Sequence, residues 1–231
     1  MPDSNSTDDC TKCAGNWKNF LNLTNTEMQL INENRYEAAF RPDEIMIKQG
    51  SPASHALFMA NGMARIYLEG FKGRNLLIDI GLPGGIIMSP GAYSNSRHSY
   101  TVAAITPIRA CFVSIEIIKQ VMRSNGAFAE SMLKDVNDKF YQTHSRMMSQ
   151  AQKRMSGRLA EILLYFSDEV FGSDEYEMIL SRQELGEMAM MAKECVVRIL
   201  KEFEDSGIIY SDSSRIKILD RAKLDMISRK G

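Results

Sequence analysis

The chain has 231 residues, 44% of them hydrophobic, with 28 Lys and Arg against 29 Asp and Glu for a formal net charge of −1. Such a balance fits one or two soluble domains with real cores and excludes a largely disordered chain. No apolar run approaches the roughly 20 residues of a membrane span, so no membrane partner is expected, and a near-neutral chain attracts nucleic acid only through a local surface.

The opening MPDSNSTDDC is polar and acidic, unlike a signal peptide, so the expected compartment is the cytoplasm. Four cysteines are too few for a disulfide scaffold. Trp17, Phe20, Leu21 and Leu23, then Met28, Leu30 and Ile31, give short helical patches. From about Phe40 the texture changes. Short apolar runs recur at Glu44–Ile47, Ala56–Met59, Ala64–Leu68, Asn75–Ile80, Gly85–Met88, Tyr100–Ile105 and Ile108–Val113, punctuated by Gly, Pro and Asn. Many short strands at this spacing predict an antiparallel sandwich or barrel. Residues 65–78 read as a hairpin with a glycine-bearing loop at Glu69–Gly73.

After Ser114 the pattern turns helical. Ile115, Ile118, Val121 and Met122 mark one helix, ending near Ser124–Gly126. Ala129, Leu133, Val136, Phe140, Thr143 and Met147 then recur at alternating steps of four and three. That is the narrow seam of a coiled coil and favours self-association; a helix lying on the sandwich is the alternative. Leu159, Ile162, Leu163, Phe166 and Val170 predict a helix over Lys153–Phe171, stopped at Gly172-Ser173. Ser181 with Glu184 three residues on, just before Leu185, is a capping box that opens a short helix through Met188 and Ala189. A second helix begins near Ala192 and stops at Ser206-Gly207, with Val196, Ile199, Leu200 and Phe203 buried and Lys193, Glu194, Val197, Arg198 and Lys201 outward. Ile208–Tyr210 and Arg215–Ile218 form a small hairpin. Helix, short helix, second helix, hairpin is the order of a winged helix-turn-helix.

In that setting the outward face has a chemistry. Arg can bond guanine O6 and N7 in a bidentate pair, and Glu can accept from cytosine N4. Glu194 and Arg198 lie four apart on one face, while Lys193, Lys201 and Arg182 suit phosphates. The plainer alternative is an ion pair between Glu194 and Arg198 on a solvated helix, worth about 0.3–0.5 kcal/mol. The order of elements favours DNA.

The stretch SRQELGEMAMMAKECVVRILKEFEDSGII resembles the helix-turn-helix of the CRP/FNR family of bacterial regulators. SGRLAEILLYF resembles the helix that opens that family's DNA-binding domain, and EIMIKQGSPASHALFMANGMARIYLEGFKGRNLLI resembles its double-stranded β-helix effector domain. The resemblance covers about Phe40 to Ile218. It implies an α+β chain: a cyclic-nucleotide-binding-like jelly-roll effector domain over residues 1–125, a long dimerisation helix over 126–150 and a winged helix-turn-helix over 151–231. It implies a homodimer on double-stranded DNA, with two half-sites about one helical turn apart, and RNA polymerase as a partner. Base-reading positions fall on Lys193, Glu194, Val197 and Arg198, and backbone-contacting positions on Ser181, Arg182 and Gln183. Leu133, Val136, Phe140, Thr143 and Met147 form the dimer seam.

The effector cassette departs from the pattern. Family members that bind cyclic nucleotides carry Gly-Glu and then Arg-Ser. Here Met88-Ser89 and His98-Ser99 stand in those places, with Arg97 one residue early. A phosphate without its arginine is poorly compensated, which argues against cAMP and leaves the effector open. Oxygen-sensing members hold an iron–sulfur cluster on four cysteines. Cys10, Cys13 and Cys111 match three of the positions, but the remaining one is Asn19, so the alternative is two terminal thiols and a buried strand cysteine. A zinc site lacks a second Cys pair. His144, on the seam helix beside Met147 and Met148, is a conceivable haem ligand, and Cys195 reads as packing.

No P-loop, G-x-S-x-G, H-E-x-x-H or Rossmann fingerprint occurs in context, so no catalysis is expected. A ligand-binding or scaffold module without sequence-specific DNA binding is the competing reading. Residues 150–231 give it room, with 13 Lys and Arg against 15 Asp and Glu.

Overall fold

The computed structural model describes residues 17–212 and 214–231; Cys10 and Cys13 lie outside them. A 3-10 turn at Lys18–Asn22 leads to helix α1 (Asn25–Glu33), opened by a capping box between Thr24 and Glu27. Eight strands follow: β1 (Arg35–Phe40), β2 (Ile45–Ile47), β3 (His55–Met59), β4 (Ala64–Leu68), β5 (Leu76–Gly81), β6 (Ile86–Ile87), β7 (Thr101–Ala104) and β8 (Ile108–Ser114). They make two four-stranded sheets, ordered β1-β8-β3-β6 and β2-β7-β4-β5. That is the pairing order of a jelly roll. In the first sheet β8 is central, with Phe112 opposite both Tyr36 and Leu57.

Strand β1 was not anticipated. It is an edge strand with no fully buried residue, so its alternation is faint in the sequence. The predicted hairpin is β4 and β5, joined through a 3-10 turn at Phe71–Gly73 where Lys72 and Gly73 take positive φ.

Helix α2 (Ile115–Ser124) packs Ile115, Ile118 and Val121 into a core shared with Trp17, Phe20, Ile31, Cys111 and Phe128. Asn125 then leaves helical geometry, and its Oδ1 accepts from Phe128 N at 3.0 Å. One residue thus ends α2 and caps α3 (Gly126–Gln152), which is about 40 Å long at 1.5 Å per residue.

The chain forms two compact units. One holds residues up to 69 together with 80–139; the other holds 70–79 and 140–231. In the second unit, α4 (Met155–Tyr165) is shorter than the helix expected over Lys153–Phe171. Phe166–Phe171 is a π-helical turn instead. The wider turn buries Phe166 fully, within 6.2 Å of the Phe171 ring and 6.4 Å of the Tyr176 ring. Gly172, at φ 62°, ends it.

A three-stranded sheet, ordered β10-β11-β9, follows from β9 (Glu175–Glu177), β10 (Ile209–Asp212) and β11 (Arg215–Ile218). Helices α5 (Arg182–Ala189) and α6 (Lys193–Asp205) precede the hairpin, and α7 (Arg221–Lys230) closes the chain. Neither β9 nor α7 was anticipated. The first has three residues, and the second buries one apolar side chain, Leu224, so neither shows a period.

Candidate nucleic-acid interface

Helix α5 begins where the capping box placed it. Ser181 Oγ accepts from Glu184 N at 3.2 Å, and Ser181 N donates to Glu184 Oε2 at 2.8 Å. Leu185, Met188 and Ala189 face inward. The turn to α6 is tight. Met191 N donates to Gly186 O at 2.9 Å, and a Cβ on Gly186 would sit 2.7 Å from Met191 O, so only glycine fits. Met190 takes the left-handed conformation at φ 48° and ψ 54°. Arg158 Nη1 donates to the Met190 carbonyl at 3.2 Å.

Helix α6 buries Val196, Ile199, Leu200 and Phe203. That fixes its roll and turns Lys193, Glu194, Val197, Arg198 and Lys201 to the surface, where they line one shallow trough with Glu202 and Asp205. Among the described residues, Lys193 and Glu194 make no side-chain hydrogen bond or ion pair. Arg198 does not pair back to Glu194, as the solvated-helix alternative had it. It pairs forward, to Glu202 at 2.5 Å. Lys201 sits 2.9 Å from Glu204 and 3.1 Å from Asp205. Glu202 and Asp205 fall on none of the base-reading or backbone-contacting positions, and the one signal for Glu202 is its place one helical turn beyond Arg198.

Ser181 and Gln183 are exposed at the start of α5, and Gln183 reaches Glu187 at 3.4 Å. Arg182 is half-buried, with Nη2 donating to Ser211 Oγ on β10 at 3.3 Å. Burial pulls its pKa below the ordinary arginine value. The side chain therefore braces the hairpin. Cys195 is half-buried on α6.

Helix α3 has two faces. Phe128 and Met132 are buried, and Asp135 Oδ2 accepts from Asn19 Nδ2 at 2.5 Å. Asn19 is itself buried, so the residue at the missing cysteine position is committed to α3. On the other face Leu133, Val136, Phe140 and Met147 are 55–63% exposed, with Thr143 exposed between them. His144 Nδ1 donates to Phe140 O at 2.8 Å, and its ring stands edge-on to the Phe140 ring.

In the effector cassette, Ser89 is buried and its Oγ accepts from Ser99 N at 2.8 Å and Gly91 N at 3.4 Å. Arg97 is exposed and donates to Gly50 O at 2.7 Å. Met88 packs partly buried against the core, and Ser99 is exposed. His98 is buried, its Nδ1 has no hydrogen-bond partner among the described residues, and burial holds its pKa below the ordinary histidine value. Around Ser89, backbone amides occupy the hydroxyl, and the one arginine of the segment is spent on a carbonyl. Those residues do not fit a cyclic phosphate.

Cys111 is buried, and Arg35 Nη1 donates to its Sγ at 3.3 Å. Among the described residues no group of three or more His, Cys, Asp or Glu is placed to hold a metal ion. No helix there is long and apolar enough to cross a membrane.

The chain matches two family profiles: a cyclic nucleotide-binding domain over residues 37–125 and a Crp-like helix-turn-helix domain over residues 157–227. It is 18% identical to electron transport regulator A of Shewanella oneidensis over 189 residues, which is 80% of this chain and 75% of that one. It is 19% identical to the transcriptional activator protein anr of Pseudomonas aeruginosa over 209 residues, 88% and 85% of the two chains. In structure it is similar to FixK2 from Bradyrhizobium japonicum, with a TM-score of 0.76 at 21% identity over 84% of this chain and 96% of that one. The likeness runs through both the jelly roll and the helix-turn-helix, and the chain belongs to the CRP/FNR family of DNA-binding transcription regulators.

Proposed function

We propose that the chain binds a near-palindromic operator as a homodimer, and that an effector other than cAMP, sensed in the jelly roll, sets its DNA affinity. One observation carries the reading: α6 buries one apolar face and turns Lys193, Glu194, Val197, Arg198 and Lys201 outward together. In a major groove Arg198 reads guanine, Glu194 reads cytosine, and Val197 offers a methyl-sized contact. Lys201, Arg182, Ser181 and Gln183 contact phosphates.

The apolar stripe on α3 supports the dimer, because Leu133, Val136, Phe140 and Met147 otherwise stay in water. The packing of Ser89, Arg97 and His98 supports an effector that is not a cyclic nucleotide. RNA polymerase is the partner that turns operator binding into regulation. The chain is read as a cytoplasmic regulator without catalysis of its own.

The test is enrichment of a random duplex pool on the full chain, followed by Arg198→Ala. The reading expects an inverted-repeat site and a loss of about 1–3 kcal/mol with relaxed preference at one base position. Enrichment of no site, or an untouched preference in Arg198→Ala, overturns it in favour of a scaffold module.

A further inference from the structure

Arg198 does not stand free on the outward face of α6. Its Nη1 donates to Glu202 Oε1 at 2.5 Å, and the two side chains are 57% and 54% exposed. Glu202 lines the same trough as Lys193, Glu194, Val197 and Arg198. Lys201, further along, is held by Glu204 and Asp205. Two of the cations placed to reach DNA are thus each matched to a carboxylate on their own helix. The fold does not need these pairs: Val196, Ile199, Leu200 and Phe203 anchor α6, and a solvated ion pair one turn long contributes little.

We propose that Glu202 is a specificity-determining residue of the recognition helix. Its carboxylate neutralises Arg198 in the free protein, and it weakens binding to duplexes that lack the site more than binding to the site itself. The proposal rests on reading α6 as the recognition helix.

Glu202, phosphate and guanine compete for one guanidinium. Binding to arbitrary DNA is driven by cationic side chains that release counterions from phosphate. Glu202 takes one such cation out of play and brings a carboxylate toward the phosphates. At a correct base, Arg198 gains two parallel hydrogen bonds to guanine, a stronger interaction than the exposed ion pair it leaves. The tax is therefore recovered only where the guanine is present. Penalising the wrong partner is one of two ways to build discrimination. Residues 150–231 carry 13 Lys and Arg against 15 Asp and Glu, so no large net positive charge masks the gain or loss of one cation.

The test compares the full-length protein with Glu202→Gln and with Asp225→Asn. Asp225 pairs with Arg229 on α7, so the second variant makes the same charge change off the recognition helix. Both sites are solvent-accessible, and circular dichroism checks that each variant folds. Two probes are used in fluorescence anisotropy over a salt series: the duplex enriched by the wild type and a scrambled duplex of equal composition. The expected result for Glu202→Gln is about tenfold tighter binding to the scrambled duplex at low salt, with a salt slope steeper by about one. On the enriched duplex the gain is less than threefold, so the specificity ratio falls. Asp225→Asn changes both probes equally and by less than twofold. Equal strengthening of both probes by Glu202→Gln reduces Glu202 to net charge and overturns the proposal, as does no change on either. In both cases the recognition-helix reading survives. If the wild type enriches no duplex, that reading fails first and takes the proposal with it.

Discussion

Tyr165 on α4 donates its hydroxyl hydrogen to Asp79 Oδ1 on β5, at 3.2 Å. Arg146 on α3 reaches the same carboxylate at 3.5 Å, and its guanidinium lies 5.2 Å from the centre of the Tyr165 ring. Three segments far apart in sequence meet at one carboxylate. Burial, then the charge of Asp79, pushes the Tyr165 pKa above the ordinary tyrosine value. Tyr165→Phe removes one hydrogen bond and leaves Arg146 with Asp79. It should cost about 1 kcal/mol at neutral pH, or roughly 2–4 °C in Tm for a chain of this size. The raised pKa fixes the pH sign. The unfolded tyrosine loses its proton from about pH 10 while the folded one keeps it, so wild-type stability falls as pH rises past that point. Urea unfolding at pH 8 and pH 10.5 should show the gap between wild type and Tyr165→Phe narrowing at the higher pH. A constant gap would mean that the tyrosine's titration is not linked to folding.

His98 has the opposite dependence. It is buried, its Nδ1 has no partner among the described residues, and burial depresses its pKa. The stability it contributes is complete above the unfolded value of about 6.5 and is lost as pH falls through the lower folded value. His98→Leu fills the site with an apolar side chain and removes the titration. Between pH 7 and pH 5 its unfolding free energy should fall less steeply than that of the wild type. Parallel curves by urea titration would show that His98 takes up its proton without penalty.

Phe140→Glu should abolish the proposed dimer. Phe140 is 63% exposed in the middle of the stripe, so a single protomer tolerates the change. A seam that brought two carboxylates together without partners would not. Multi-angle light scattering should give a mass near 26 kDa for the variant against twice that for the wild type. A dimeric variant with unchanged mass would place the interface elsewhere.

How far the sequence foretold the molecule depended on how long each signal persisted. The capping box at Ser181 and Glu184 and the burial of Val196, Ile199, Leu200 and Phe203 were plain, because a cap or a period of 3.6 residues leaves a mark in one dimension. The jelly-roll strands were visible where Gly and Pro bracket them. Edge strand β1 and the three-residue β9 were not, since their hydrogen bonds go to distant partners. The π-turn at Phe166–Phe171 was hidden because Phe166 and Val170 suit a regular helix equally well. At the candidate interface, the outward position of Lys193, Glu194, Val197, Arg198 and Lys201 followed from the period. The partner of Arg198 did not: Glu194 and Glu202 both lie four residues away, and only side-chain conformation chooses between them.

The turn between α5 and α6 carries two backbone constraints with opposite consequences. Gly186 packs against the Met191 carbonyl so closely that a methyl group would have to push the turn away. Gly186→Ala should therefore destabilise by about 1–3 kcal/mol, as other overpacked sites do. Met190 is strained instead: at φ 48° its Cβ crowds the backbone, at about 1–2 kcal/mol for an L-residue. Its side chain is 45% exposed, so little packing is lost on removal. Glycine relieves the strain but adds roughly 0.4–1 kcal/mol of unfolded-state entropy. Strain relief exceeds the entropy cost, so Met190→Gly should leave stability unchanged or raise it by up to about 1 kcal/mol. Denaturation midpoints of the two variants should therefore move apart, with Gly186→Ala below the wild type and Met190→Gly at or above it. A drop of more than 1 kcal/mol in Met190→Gly would mean that the methionine side chain, and not the backbone, holds the turn.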